Sequence, residues 1–267
     1  MEIKFNKYSV LGNDFIIIDN REKFLHDDLK NMIRKICQRR FAVGADGVII
    51  INNDRKDFVA EYYNSDGLPG NMCGNGARAV IDYGNRNSLC GKKTEFWVWD
   101  TKYKGEINGK LTGVELQVFS EEIMEYIYTF EGKEITGFLC NTGVPHLIIF
   151  DPELNENPSI EFAREIRYNE LFKPEGTNVS FVNIIDRNSI SIVTYERGVE
   201  EFTFACGTGA MAAAYTALTK DLVEFPVNVS SFGGRIEIRE GHSPGSMWLW
   251  SEVSRVYSGC IESGFAN

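Results

Sequence analysis

The stretches NMCGNGA (Asn71–Ala77) and ACGTGA (Ala205–Ala210) place a cysteine in the same short setting twice within 267 residues. Both contain the pattern Cys-Gly-x-Gly-Ala, and both lead directly into a segment of helical composition. A single cysteine in a glycine-rich turn is more often an inert buried thiol than a functional one. Whether Cys73 and Cys206 form a matched functional pair therefore depends on how far the repetition extends along the sequence.

Other landmarks repeat in the same order upstream of each cysteine. Gly12 and Gly143 precede apolar runs that end in aspartate, and Gly44 and Gly176 precede β-rich runs. The two glycines are 32 residues apart in the first copy and 33 in the second, and the cysteine follows after 29 and 30 residues. This agreement predicts a tandem duplication with an offset of 131 to 133 residues.

The composition of each copy predicts its fold. The residues after the cysteines, GNGARAVIDYGNRN and GTGAMAAAYTALTKDL, favour a helix, while TEFWVWD, GVELQVF, SISIVTYE, RIEIRE and SMWLWSE are typical of strands. We therefore expect an α/β (α+β) protein with two pseudo-symmetric domains, each a curved mixed β-sheet or barrel wrapped around a central helix. The charged segment SEEIMEY places the boundary between domains 1–120 and 121–267, with about ten C-terminal residues free to return to the first domain.

Charge and cysteine usage limit the partners of the chain. A net charge of −10 argues against nucleic acid, because such binding depends on clustered Lys and Arg. The absence of a long apolar run or an export signal predicts a cytoplasmic protein that does not contact a membrane. Six cysteines in a chain of this size are expected to be free thiols, and three histidines without ligand spacing predict no metal.

A thiol at a helix N-terminus has a defined chemistry. The unpaired N–H groups and the helix dipole favour a thiolate there, and they also favour a bound carboxylate. The N–H groups of Gly74, Asn75, Gly207 and Thr208 are the candidate donors to that carboxylate. Two such thiols suit inversion at an acidic carbon, since one thiolate removes the α-proton and the other thiol delivers a proton to the opposite face. No Schiff-base lysine or phosphate site is identifiable, so we predict no pyridoxal phosphate and no other cofactor.

The motifs resemble those of the diaminopimelate epimerase family nearly from end to end. The resemblance is carried by LGNDFIIID, RFAVGADGV, NSDGLPGNMCGNGAR, NTGVPH, GTNVSFV and YERGVEEFTFACGTGA. It implies cofactor-independent interconversion of LL- and meso-diaminopimelate, a step of lysine and peptidoglycan precursor biosynthesis. It also implies a small amino-acid substrate and a homodimer of two-domain subunits.

Matching the motifs position by position implies a role for each site residue. Cys73 and Cys206 correspond to the acid and base pair, and Gly74, Asn75, Gly207 and Thr208 to the carboxylate-binding positions. The positions that bind the amino groups and the distal carboxylate are Asn13, Asn64, Asn178, Glu196 and Arg197, while His146 and Glu196 tune the thiols. This chain departs from some members at Val144, where they have Asn, and at Gly47, where they have Gln.

Three alternatives remain open at this stage. The nearest is a two-cysteine racemase or epimerase of another amino acid, of the proline, hydroxyproline or histidine type. A dithiol oxidoreductase would cycle Cys73 and Cys206 through a disulfide, which requires Cα atoms within about 7 Å. A non-enzymatic amino-acid-binding module would leave the second cysteine without a purpose.

Overall fold

The computed structural model describes residues 2–25, 28–53, 58–70, 73–120 and 122–262. Asn71 and Met72, which open the first cysteine stretch, lie outside the described residues. The part of the chain before residue 120 contains β1 (Glu2–Val10), β2 (Asn13–Asp19), α1 (Leu29–Ile36), β3 (Gly47–Asn52), β4 (Val59–Asn64), α2 (Gly74–Arg86), β5 (Lys93–Val98), β6 (Thr101–Asn108) and β7 (Leu111–Gln117).

The part after residue 120 repeats this alternation of strands and helices. It contains β8 (Met124–Phe130), β9 (Lys133–Asn141), β10 (Pro145–Phe150), α3 (Pro152–Glu156), α4 (Ile160–Arg167), a 3-10 turn (Glu170–Phe172), β11 (Asn178–Asp186), β12 (Ser189–Glu196), β13 (Glu201–Thr203), α5 (Gly207–Thr219), β14 (Val227–Ser231), β15 (Gly234–Glu240), β16 (Ser246–Glu252) and β17 (Ser254–Glu262).

The chain divides into two compact units. Unit 1 comprises Met1–Val114 and Ser251–Asn267, and unit 2 comprises Glu115–Trp250. The division thus lies six residues before the 120/121 boundary expected from the charged segment, and the C-terminal segment that groups with unit 1 begins at Ser251. No helix among the described residues combines the length and the apolar character that crossing a membrane requires.

The strands of the two units pair in corresponding orders. In unit 1 the order is β17-β1-β2-β3-β4-β5-β6, with β2/β3 and β4/β5 parallel and the other pairs antiparallel. In unit 2 the order is β8-β9-β10-β11-β12-β14-β15-β16, with β10/β11 and β12/β14 parallel and the other pairs antiparallel. The short strand β13 pairs with β12 as an addition to this shared pattern. The prediction of two duplicated α/β domains is confirmed.

Helices cover both faces of the parallel strand pair β2/β3. The β3 strand is buried at every position, as continuous apolar runs are when helices lie on both sides of a sheet. On one face Ile16, Ile18, Val48 and Ile50 share a core cluster with residues of α1. The opposite face meets α2, whose residues Gly74 to Gly84 are all buried. Burying each large aliphatic side chain contributes about 1.5–3 kcal/mol, which offsets the cost of ordering both helices.

Small side chains bring the strands close to the central helices. A Cβ atom placed on Gly105 of β6 would lie 2.5 Å from Ile81 Cδ1 on α2, so any larger residue at this strand position would require the Ile81 side chain to move. In α5 the buried positions include Ala210, Ala212, Ala213, Ala214 and Ala217, each no more than 1% exposed. These helices therefore run through the interior of their units, and only their ends are available for chemistry.

Candidate active site

Cys73 is the N-cap residue of α2. Its backbone is extended, with φ −87° and ψ 156°, and its Sγ accepts a hydrogen bond from the N–H of Gly76 at 3.3 Å. The first N–H groups of a helix have no partner within the helix, and the sulfur takes the place that a serine or aspartate oxygen commonly fills. The Cys73 sulfur is therefore fixed at the positive end of α2, half-buried in unit 1.

Asn75 links the predicted residue Asn13 to the interior of unit 1. The Asn75 amide donates to Oδ1 of Asn13, and Oδ1 of Asn75 accepts from Nη2 of Arg78. Asn13, at the start of β2, also donates to Asp46 at 3.4 Å. Asn75 is 2% exposed and Arg78 is fully buried, so the line of side chains is held in one arrangement. Arg78 was not among the residues predicted from the sequence.

The structure places the remaining predicted residue of unit 1 at the end of β4. Asn64 is exposed there, and its Oδ1 lies close to Gly70, where a Cβ atom would come within 2.8 Å of it. Gly47 lies across from Asn64 in the strand register. A Cβ on Gly47 would lie 2.6 Å from Cε2 of Tyr62, so the Tyr62 ring occupies the space that a glutamine would need. A glutamine at position 47, as some family members have, would therefore require the Tyr62 ring of this unit to move.

Cys206 occupies the corresponding N-cap position of α5 in unit 2. Its Sγ accepts from the N–H of Gly209 at 3.4 Å and lies 3.3 Å from the hydroxyl of Thr208. The Thr208 hydroxyl is in turn 3.0 Å from Nε2 of His146. A continuous chain of hydrogen bonds thus connects the thiol with His146 on β10, through a residue that the sequence predicted only as a carboxylate-binding position.

His146 is a neutral imidazole. Burial, together with a smaller contribution from the positive charge of Arg197, lowers the pKa of His146 to about 3. Its Nδ1 is buried without a hydrogen-bond partner among the described residues. The side chain therefore acts on Cys206 as a hydrogen-bonding group through Thr208 and carries no charge at neutral pH.

This burial predicts an acid-sensitive contribution of His146 to stability. The unfolded chain protonates this histidine near pH 6.5 and the folded chain only near pH 3, so the free energy of unfolding falls as pH decreases through that range. Between pH 7 and 5 we expect the wild type to lose about 2 kcal/mol more than His146→Gln. Denaturant unfolding at both pH values measures the difference.

The exposed His242 supplies the control for this measurement. His242→Gln should retain the wild-type loss of stability, because the ring of His242 is largely solvent-exposed. Equal acid sensitivity of the wild type and His146→Gln would show that His146 is not the group responsible.

The other predicted residues of unit 2 lie where β11 begins and β12 ends. Asn178, 3% exposed, donates to the Pro145 carbonyl at 2.9 Å and accepts from the backbone N–H of Arg197 at 2.8 Å. Glu196 accepts from the Thr203 hydroxyl at 2.9 Å. Asn178 therefore fixes the backbone positions of the segments that carry His146 and Arg197.

The guanidinium of Arg197 already has an anionic partner. Its Nη1 lies 3.0 Å from Oε2 of Glu175, whose side chain is 72% exposed, against 24% for Arg197. The backbone carbonyl of Glu175 accepts from Arg167 at 3.1 Å. The next residue, Gly176, has φ 72°, and a Cβ there would lie 1.8 Å from Nη1 of Arg167. The loop that presents Glu175 to Arg197 is thus held in place by Arg167 and requires glycine.

The remaining thiols have different surroundings. All six cysteines lie among the described residues, and none of them forms a disulfide bond. Burial raises the pKa of Cys37 to about 12 and that of Cys140 to about 11, and it also raises the pKa of Cys90. These three thiols stay protonated at neutral pH, and none is an N-cap of α2 or α5. Only Cys73 and Cys206 combine partial exposure with a helix N-terminus.

Known proteins share both the sequence and the fold of this chain. A family model described as "Diaminopimelate epimerase" matches residues 5–100 and 138–247. This chain belongs to the diaminopimelate epimerase family. The second matched segment begins 133 residues after the first, which agrees with the predicted duplication offset. The resemblance read from the motifs is therefore confirmed.

Individual relatives support this membership over the full length. A protein of Aquifex aeolicus named diaminopimelate epimerase is 37% identical over 271 residues, which cover 96% of this chain and 97% of that protein. Among solved structures, a PhzF-family phenazine biosynthesis protein of Enterococcus faecalis has a TM-score of 0.72 at 10% identity, covering 98% of this chain and 100% of that chain. A probable proline racemase of Agrobacterium radiobacter has a TM-score of 0.67 at 13% identity, covering 97% and 93%. These two structural likenesses concern the fold alone.

Proposed function

We propose that this chain interconverts LL- and meso-diaminopimelate, with Cys73 and Cys206 as the two proton-transferring groups. The observation that carries the proposal is the repeated N-cap thiol, one in each copy of a duplicated fold. A duplication that retains the same reactive group in both copies suits a reaction that needs one group on each side of a carbon. The choice of diaminopimelate as the substrate follows from membership of the diaminopimelate epimerase family.

The reaction requires only proton movement. A thiolate removes the α-proton, and the electron pair of the broken C–H bond delocalises into the adjacent carboxylate. The second cysteine then donates its thiol proton to the opposite face, so the carbon is inverted and one thiolate has replaced the other. No oxidant or reductant is consumed, and the roles of the cysteines exchange in the reverse direction.

The helix ends stabilise the charge that develops on the carboxylate. The N–H groups of Gly74 and Asn75 in α2, and of Gly207 and Thr208 in α5, belong to first turns whose donors have no helical partner. Preorganised donors of this kind supply about 3 kcal/mol each to a developing anion. We assign Arg197 to the distal carboxylate, because a guanidinium pairs with a carboxylate through two parallel hydrogen bonds.

Proton exchange with solvent tests the proposal. Purified protein is incubated with LL-diaminopimelate in D₂O without added cofactor, and the products are separated by stereochemistry and analysed by mass spectrometry. We expect meso-diaminopimelate with one α-deuterium, while the remaining LL substrate stays largely protiated at early times. That pattern follows because the incoming proton comes from a different thiol than the one that received the leaving proton.

Assays with other substrates, run beside this experiment, separate the alternative functions. Inversion of proline, hydroxyproline or histidine without turnover of diaminopimelate would assign the chain to another substrate. Reduction of a disulfide substrate without α-deuterium incorporation would instead assign it to dithiol redox chemistry. The homodimer and the cytoplasmic location implied by the resemblance remain predictions, the former measurable by light scattering on the purified protein.

A further inference from the structure

Arg78 is a buried cation on the helix that begins after Cys73. It lies on α2 five residues after Cys73, and its relative exposure is 0%. Its Nη2 donates to Oδ1 of Asn75, while Nε and Nη1 have no hydrogen-bond partner among the described residues. Within the described part of the chain, no carboxylate forms an ion pair with it.

An arrangement of this kind is costly for a folded protein. Removing a charged group from water is strongly unfavourable, and one hydrogen bond to a neutral amide returns only a small part of that cost. Burial lowers the pKa of Arg78 to about 10, even though the negative charge of a Cys73 thiolate acts in the opposite direction. Arg78 therefore stays protonated at neutral pH, and its interaction with Cys73 is favourable when the sulfur is a thiolate.

The duplicated unit shows that the fold does not need this charge. Five residues after Cys206 the helix α5 carries Met211, which is fully buried. A helix of the same length in the same topological position thus packs with an apolar side chain there. The neutral His146 is the nearest counterpart in unit 2, since it reaches Cys206 through Thr208. The buried cation is a difference between the two thiol environments.

We propose that Arg78 is a positioning residue that holds Cys73 as a thiolate in the resting protein and locks Asn75 against Asn13. A charge in a low-dielectric interior acts on a neighbouring sulfur more strongly than the same charge at the surface does. The hydrogen bond from Nη2 orients the Asn75 amide so that its NH₂ group faces Asn13. Arg78 touches neither substrate nor the reacting carbon in this scheme.

Several other ionisable groups lie around α2, and Tyr8 of β1 interacts with Asp82 while Tyr83 of α2 donates to Asp19 at 3.4 Å. Tyr103 lies on β6, and its burial together with the charge of Cys73 raises its pKa. From β1, Lys7 pairs with Asp14 of β2 at 2.6 Å. Farther along α2, Asp82 pairs with Arg86 at 2.6 Å. Arg78, by contrast, forms no ion pair with a carboxylate among the described residues, and its charge interacts with that of Cys73.

Thiol alkylation tests the proposal without relying on epimerase activity. Each protein is treated with iodoacetamide from pH 6 to 10, and the alkylation rates of Cys73 and Cys206 are followed separately by peptide mass mapping. In Arg78→Met, which copies the Met211 arrangement, we expect the Cys73 rate profile to shift up by about one pH unit, so that Cys73 reacts up to about tenfold more slowly on the acidic side of its titration. The rate of Cys206 should not change.

Two further variants separate the charge from the hydrogen bond. Arg78→Lys keeps the charge and should retain most of the wild-type Cys73 rate, whereas Arg78→Gln keeps a donor for Asn75 but should react as slowly as Arg78→Met. If Arg78→Met fails to fold, the difference in Cys73 alkylation rate between Arg78→Lys and Arg78→Gln still tests the role of the charge.

A wild-type Cys73 profile in Arg78→Gln would overturn the charge role, and equal slowing of both thiols would indicate general loosening instead. This inference rests on the proposed function, because a Cys73 thiolate serves as a base only if the protein removes an α-proton from its substrate. Its readout is independent, however: a Cys73-specific shift in a protein that does not epimerise diaminopimelate would leave Arg78's role intact and reject the substrate.

Discussion

Cys73→Ala and Cys206→Ala are each expected to lower kcat/KM for epimerisation by about 10⁴-fold. Each thiol serves as the base in one direction and as the acid in the other, so removing either one stops inversion in both directions. Loss of the N-cap sulfur should cost only about 1 kcal/mol of stability, so both variants should remain folded. Stereochemical analysis of the product, together with circular dichroism of each variant, measures both expectations.

Cys260 provides the matched control for the cysteine variants. It lies exposed on β17, outside α2 and α5, and Cys260→Ala should retain wild-type turnover. A single-thiol variant that still inverts LL-diaminopimelate at close to the wild-type rate would contradict the two-thiol mechanism. Such a result would require another acid or base on that side of the carbon.

The duplication could be predicted because it rests on local backbone chemistry. The four glycines that mark the two copies all have positive φ: 91° and 74° at Gly12 and Gly44, and 96° and 72° at Gly143 and Gly176. L-residues with a side chain rarely adopt these angles, so glycine persists there and remains visible in the sequence. The cysteines were recognisable for a similar reason, since each lies immediately before a helix whose first turn is rich in glycine.

The contacts that the sequence did not reveal depend on partners far along the chain. In α2, Arg78 occupies a helix position that local reading would place on a solvated face, and only the surrounding strands bury it. Glu175 was not singled out, because its pairing with Arg197 joins residues 22 apart at the adjacent ends of the antiparallel strands β11 and β12. The Thr208 link between His146 and Cys206 likewise spans 62 residues. Hydrogen-bond partners of this type follow from tertiary packing and leave no periodic pattern.

The pairing of β1 with β17 is the longest-range example. Glu2 lies opposite Glu262, so strands from the two ends of the described chain complete one sheet. The alternation of residues in a strand indicates which face is buried, but it carries no information about which neighbour supplies the hydrogen bonds. Strand existence was accessible from the sequence for this reason, and strand order was not.

Arg197→Met is expected to raise KM for diaminopimelate by about 100-fold, with a smaller effect on kcat. Truncating one partner of a hydrogen-bonded charge pair costs about 2–5 kcal/mol, and a distal carboxylate is bound equally in the ground state and the transition state. Arg197→Lys should recover only part of the loss, because an ammonium group lacks the planar fork that pairs with both carboxylate oxygens. Steady-state kinetics with LL-diaminopimelate measure the change.

Glu175 gives this prediction its sharpest control. Its carboxylate, 3.0 Å from Arg197, competes for the same guanidinium that a distal carboxylate would use. Because Glu175 is largely exposed, its pairing with Arg197 is worth no more than about 1 kcal/mol, and Glu175→Gln should lower KM by up to about fivefold. Opposite changes in KM in the two variants would identify Arg197 as the carboxylate-binding group. If instead Arg197→Met leaves KM unchanged, the Arg197–Glu175 pair serves only to order its loop, and the distal end of the substrate binds elsewhere.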